Sequence, residues 1–208
     1  MNPANCPRLT PLPRPVSGTW YRAVAPRFLS NPISTSHSKT VASRFSAASP
    51  AHSGFEILYL AEKPQVALFE VGALYGSPLS GVVVNPQALF RIVAIQVHLS
   101  GMVDVSKPAE AAKVYSNAQE LTGDWRCYRE RGRLPGASVK VPTGKAPTQK
   151  FGEQLYALCP NVQGFVTLSA RLPYFKILGI FTRRLKAGSS DYISYTDPSG
   201  THTPVRIP

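Results

Sequence analysis

Three apolar segments far apart in the chain each set one charged or hydroxyl side chain among apolar neighbours. The first is Gly18-Thr19-Trp20-Tyr21-Arg22-Ala23-Val24. The second runs from Tyr59-Leu60-Ala61 to Ala67-Leu68-Phe69-Glu70-Val71. The third is Gly164-Phe165-Val166-Thr167-Leu168-Ser169-Ala170-Arg171. An Arg, Glu or Ser buried in such a segment is costly unless it finds a partner or has a task. A fold that buries all three segments must supply partners for Arg22, Glu70 and Ser169, and one shared polar site inside an ordinary core does so for all of them.

The rest of the chain reads as a mixture of strands and helices. Strands are expected at residues 18–25, 55–61, 91–99, 163–169, 176–182 and 192–195, with Ile and Val densest from Arg91 to Leu99. Helices are expected from Pro64 to about Tyr75, from Pro108 to Leu121 and from Gln149 to Leu158, the first two opened by a proline suited to a first turn. The helix after Pro64 places Glu70 one turn from Ala67 and Leu74. Residues 29–53 are rich in Ser, Thr and Pro and read as a long loop, and residues 130–147 as a basic loop. Residues 1–17 carry Pro3, Pro7, Pro11, Pro13 and Pro15, which block helix and ladder pairing, so this stretch reads as an extended or disordered basic tail before a folded domain at 18–208. Strands and helices do not alternate as regular βαβ units, which favours an α+β fold over a doubly wound sheet. No GxGxxG follows a strand, so no Rossmann fingerprint is present.

With 208 residues and 43% hydrophobic composition, the chain can bury a sizeable single core. No apolar run has the length of a membrane span, and no apolar stretch of signal-peptide type stands near the N-terminus. Cys6, Cys127 and Cys159 are odd in number and form no CxxC pair, which argues against a disulfide framework and against a zinc site, and a reducing cytoplasm is the expected setting. The net charge is +12, unevenly spread: residues 1–55 hold six Lys/Arg and no acid, and residues 126–208 hold thirteen against four. The basic residues are dispersed except in Arg126-Cys127-Tyr128-Arg129-Glu130-Arg131-Gly132-Arg133. Such a surface serves solubility or attracts an anionic partner, and no nucleic-acid motif accompanies it.

In this order, together with Arg44-Phe45, Leu121-Thr122-Gly123-Asp124-Trp125 and Thr148-Gln149-Lys150-Phe151-Gly152, the three segments resemble the RES domain. That family of bacterial toxins acts on NAD and is named for an Arg, a Glu and a Ser. The resemblance runs from about Gly18 to about Leu185. It implies an ADP-ribosyltransferase-like α+β fold, with NAD in a cleft between two small packed sheets flanked by helices. It implies a cytoplasmic toxin that cleaves the nicotinamide–ribose bond by phosphorolysis, hydrolysis or ADP-ribosyl transfer, with NAD as substrate and no cofactor. A helix-turn-helix antitoxin is the implied partner, with no membrane and no specific nucleic acid bound by the toxin alone; a homodimer is left open. Two positions depart from the family: Ser43 stands where a glycine is usual, and Leu168 where a proline is frequent.

Cleaving that bond leaves an oxocarbenium-like sugar, which calls for a fixed carboxylate, cations on the pyrophosphate and an aromatic wall. Carried onto this sequence, the catalytic set is Arg22, Glu70 and Ser169, and the NAD-binding set is Arg22, Arg44, Tyr21 and Tyr59. Ser169 would donate a hydrogen bond to a ribose or amide oxygen. The bland alternatives are a buried Glu70–Arg22 salt bridge, a Ser169 that only caps a turn, a core Tyr59 and a surface Arg44. At the level of function they are a protein ADP-ribosyltransferase, a degenerate domain that binds NAD without cleaving it, and a basic nucleic-acid-binding module.

Overall fold

The computed structural model describes residues 1–48, 55–77, 81–136, 138–185, 190–196 and 202–205. In chain order the elements are β1 (Val16–Val24), β2 (Ile57–Ala61), α1 (Pro64–Glu70), β3 (Leu74–Ser77), β4 (Gly81–Val84), β5 (Arg91–Leu99), β6 (Met102–Asp104), α2 (Pro108–Lys113), α3 (Ala118–Thr122), β7 (Arg131–Arg133), β8 (Lys140–Pro142), α4 (Pro147–Leu158), β9 (Gly164–Leu168), β10 (Lys176–Phe181), β11 (Tyr192–Thr196) and β12 (His202–Val205). This is the mixed α+β fold that the residue pattern calls for.

Eight strands form one sheet in the order β12-β11-β5-β1-β2-β10-β9-β6, with β3–β4 and β7–β8 as separate hairpins. The large sheet is two half-sheets joined at a narrow seam. β1 pairs with β5 along its whole length, Val16 to Val24 opposite Leu99 to Arg91, but meets β2 only at Tyr21 opposite Ala61. The strands alternate their side chains between two faces. One face of β2, β10 and β9 presents Leu58, Leu60, Leu178, Ile180 and Val166 to Ile95, Val97 and Leu99 of β5 and Ile193 of β11, so the half-sheets pack on each other. The other face presents Ile57, Phe165 and Phe181 to Phe151 and Leu155 of α4, Ala111 of α2 and Leu121 of α3. The two small packed sheets expected from the resemblance are these halves.

The proline-rich N-terminus is not a disordered tail. Pro3–Arg8 forms a 3₁₀ turn, Cys6 and Leu9 are buried in the core beneath α4, Leu12 N–H donates to the Met102 carbonyl at 2.7 Å, and Pro11 bridges Val103. The prolines suit this turn-and-bridge path, and apolar burial anchors it. Three further expectations need correcting. The helix after Pro64 ends at Glu70, because Gly72 at φ 72° turns the chain back into β3, so Leu74 is a strand residue. The helix over 108–121 is two, α2 and α3, broken around Tyr115 at φ 52°. The basic loop over 130–147 contains the β7–β8 hairpin and the start of α4. Part of the 29–53 loop lies outside the described residues; what is described holds one 3₁₀ turn, Ser36–Lys39, and another, Pro26–Phe28, stands just before it.

Candidate active site

Where β1 and β2 diverge beyond the seam, a two-lobed cleft opens. An apolar lobe of ≈ 460 Å³ is lined by Tyr21, Arg22, Phe28, His37 and Phe90 among others, and a more polar lobe of ≈ 430 Å³ by Arg44, Asp124, Trp125, Thr167 and Arg171. Both lobes share Tyr59, Glu70, Val71 and Ile177. Each volume suits part of a large ligand.

Glu70 is the last residue of α1, held beside the end of β9. Its Oε1 accepts from the Ser169 hydroxyl at 2.5 Å, from Ala170 N–H at 2.8 Å and from Arg171 N–H at 3.4 Å. The Ser169 oxygen in turn accepts from Arg171 N–H at 3.2 Å and Leu172 N–H at 3.0 Å. Ser169 is therefore fully engaged, 0% exposed, and absent from the lining of both lobes. The expected direct hydrogen bond from Ser169 to a ribose or amide oxygen is corrected: its one proton is directed at Glu70. All three bonds to Glu70 fall on Oε1, and among the described residues Oε2 accepts none.

The salt bridge between Glu70 and Arg22 does not form. Arg22 Nη1 donates to the carbonyls of Pro32 at 2.7 Å and Ser34 at 3.2 Å, so it pins the loop that walls the apolar lobe. Burial lowers its pKa to about 10, still cationic at neutral pH. That loop is held from behind by Glu56, which accepts from Thr35 Oγ1 at 2.6 Å and pairs with Lys39 at 2.6 Å and Arg183 at 3.2 Å. Burial raises the Glu56 pKa, but the hydrogen bonds from Lys39 and Thr35 and the two cations outweigh it and leave the carboxyl below its ordinary value. His37, which no motif singles out, faces the apolar lobe; burial, then the Arg22 charge, push its pKa down and favour the neutral ring.

Arg44 is held differently. The chain from Ser43 to Ser46 docks on α4: Gln149 Nε2 donates to the Ser43 and Ser46 carbonyls at 2.9 and 3.3 Å. A Cβ at position 152 would lie 2.0 Å from the Phe45 carbonyl oxygen, so glycine is required there. Phe45 packs on Phe165 and Phe151. This explains why Gln149 and Gly152 belong to one motif: both receive the Arg44-Phe45 pair. Arg44 makes one long bond, Nη1 to the Leu121 carbonyl at 3.3 Å, and its buried Nε has no hydrogen-bond partner among the described residues. Burial lowers its pKa, with Glu70 and Tyr59 opposing. Ser43 and Tyr59 hydroxyls share a hydrogen bond of 2.9 Å, a link that glycine at 43 could not make. Burial pushes Tyr59 up to about 12, so it stays a neutral phenol.

Of the site residues expected from the sequence, Tyr21, Arg22, Arg44, Tyr59 and Glu70 line one cleft, and Ser169 stands behind Glu70. Sequence reasoning did not place Trp125, Arg171, Thr167 or His37 in the site. Trp125 carried a signal, since it closes a quoted motif; Arg171 follows Ser169 by two residues; His37 carried none.

A model of the RES domain matches residues 19–202. The chain belongs to the RES-domain family. Among solved structures, a chain from the crystal structure of the M. tuberculosis MbcT–MbcA toxin–antitoxin complex superposes with a TM-score of 0.60 at 16% identity, over 97% of this chain and 90% of that one. At that identity the likeness is one of fold. The search of curated proteins found no match. Among the described residues of this RES-domain chain, no helix is long and apolar enough to cross a membrane.

Proposed function

We propose that this RES-domain chain cleaves the nicotinamide–ribose bond of NAD and acts as the toxin of a toxin–antitoxin pair in the cytoplasm. One observation carries the reading: Glu70 lies on the wall common to both lobes, with one carboxylate oxygen fixed by a hydroxyl and two backbone N–H groups. Electrostatic stabilisation is strongest when the stabilising group needs no reorganisation as charge develops. The bonds from Ser169, Ala170 and Arg171 supply that fixity, and Oε2 is left for a ribose hydroxyl or the cationic sugar carbon. Ser169 then acts as a positioning residue. Tyr21, Phe28 and Phe90 offer aromatic surface to a base, Arg44 offers positive charge to the pyrophosphate, and Arg22 adds its charge from the wall of the apolar lobe, whose loop it holds.

Family membership supports the toxin half of the proposal, as does the fold shared with a chain of a toxin–antitoxin complex. The partner would be a helix-turn-helix antitoxin that covers the cleft. The test is direct: purified chain is mixed with NAD, with and without phosphate, and free nicotinamide and the ADP-ribosyl product are followed. Release of nicotinamide in either buffer supports the reading, and the product identifies water, phosphate or a protein side chain as acceptor. Well-folded protein that neither binds nor consumes NAD overturns it.

A further inference from the structure

Arg44 and Arg171 line the same lobe, where burial first and the Arg171 charge after it act against Arg44 ionisation. Among the described residues neither forms an ion pair with a carboxylate. Arg44 also leaves its buried Nε–H unbonded, and Thr167 Oγ1 in the same wall is likewise unbonded. Two arginines lining one lobe, one of them with a buried N–H to spare, are an incomplete arrangement. The group that completes it is anionic, rich in acceptor oxygens and small enough to sit between planar forks, which describes a phosphoryl group.

Arg171 has a second property. Its backbone N–H bonds Glu70 Oε1 and Ser169 Oγ, while its side chain is exposed. The residue ties the carboxylate through its main chain and extends a cation through its side chain that pairs with no carboxylate among the described residues. Arg22, by contrast, already holds two carbonyls. We propose that Arg171 is a ligand-binding residue of the polar lobe, where with Arg44 it grips a phosphoryl group of the substrate, beside the carboxylate that acts on the sugar. The substrate part of this assignment rests on the NAD reading; the phosphoryl site itself does not.

The experiment titrates the full-length chain with inorganic pyrophosphate and, separately, with NAD, using calorimetry at two salt concentrations. The variants are Arg171→Gln, Arg171→Lys and, as a surface control, Arg133→Gln on the β7–β8 hairpin. None of the three substitutions removes a backbone N–H, so the Glu70 contact survives and melting temperatures stay at the parent value. Arg171→Gln is expected to weaken pyrophosphate roughly ten-fold, as loss of one charge-assisted fork should, with Arg171→Lys intermediate and Arg133→Gln unchanged. In turnover, Arg171→Gln raises KM and moves kcat only a few-fold. If Arg171→Gln binds pyrophosphate and NAD within two-fold of the parent, or Arg133→Gln loses as much, the phosphoryl site is overturned. If the parent binds pyrophosphate through Arg171 but never binds NAD, the site stands and the NAD reading falls. If the parent binds NAD and Arg171→Gln changes nothing, NAD stands and the site falls. Binding of neither removes both.

Discussion

The apolar and polar lobes are each lined by a half-buried arginine, and the two arginines do different things. Arg22 is occupied: its Nη1 holds two carbonyls of the loop that walls its lobe. Among the described residues Arg44 is nearly idle: it makes one long bond to Leu121, its Nε is unbonded, and Arg171 lines the same lobe. Identical chemistry thus builds the wall in one lobe and offers a receptor in the other. The lesson is that a buried cation is assigned by what already satisfies it, not by its nearness to a cleft.

Four measurements break or sharpen this contrast. The largest effect is expected at the wall that the lobes share. Glu70→Gln keeps the shape and the hydrogen-bond acceptor at Oε1 while losing the charge, so nicotinamide release should fall roughly 10²-fold or more with folding retained; turnover within a few-fold of the parent makes the carboxylate structural. Next comes its support. Ser169→Ala frees the carboxylate to move, leaves the Leu172 N–H without its acceptor and leaves the Arg171 N–H only its longer bond to Glu70. Turnover should drop between roughly ten- and a hundred-fold, and stability by about 1–3 kcal/mol, read by chemical denaturation.

The third measurement sets the arginines against each other. Arg22→Met strands two carbonyls and should cost about 1–3 kcal/mol of stability, whereas Arg44→Met should leave the melting temperature near the parent value and weaken NAD binding roughly ten-fold. If the pattern reverses, the contrast between the lobes is wrong. The smallest effect is in pH. Glu56 has a lowered folded pKa, so its clasp on the loop behind Arg22 contributes stability above the unfolded carboxyl pKa, and this contribution is lost as pH falls through the folded value. The parent should lose stability more steeply than Glu56→Gln across that acidic window, and parallel pH profiles would show that Glu56 does not brace the loop that walls the apolar lobe.

Much of the fold could be read in the residues themselves. β5 runs from Arg91 to Leu99 as the Ile- and Val-rich pattern says, because a strand packed on a second sheet shows its apolar alternation plainly. The errors share a cause: a local signal was overruled by packing or by one backbone torsion. The N-terminal prolines suggest a loose tail, but Cys6 and Leu9 bury themselves under α4. The helix after Pro64 stops where Gly72 takes a positive φ, and the residues beyond it pair as β3 instead. At the site, the cost of burying Arg22, Glu70 and Ser169 announced that each needs a partner. Glu70 and Ser169 found one another. Arg22 found backbone carbonyls, which any sequence could supply and none advertises. Arg171 looked like one more surface cation because its significance comes from Arg44, far away in the chain.

The seam at Tyr21 opposite Ala61 has a consequence for how the domain breathes. One ladder position links two half-sheets that are otherwise fully paired within themselves. Amide protons of β1 near the seam should therefore trade with solvent through a local opening far cheaper than global unfolding, while those at the centres of β5 and β10 wait for the larger event. A ligand that bridges both lobes closes that cheap route, so its arrival should be recorded as slowed deuterium uptake at Tyr21 and Arg22, in the backbone itself and without any change in the fold.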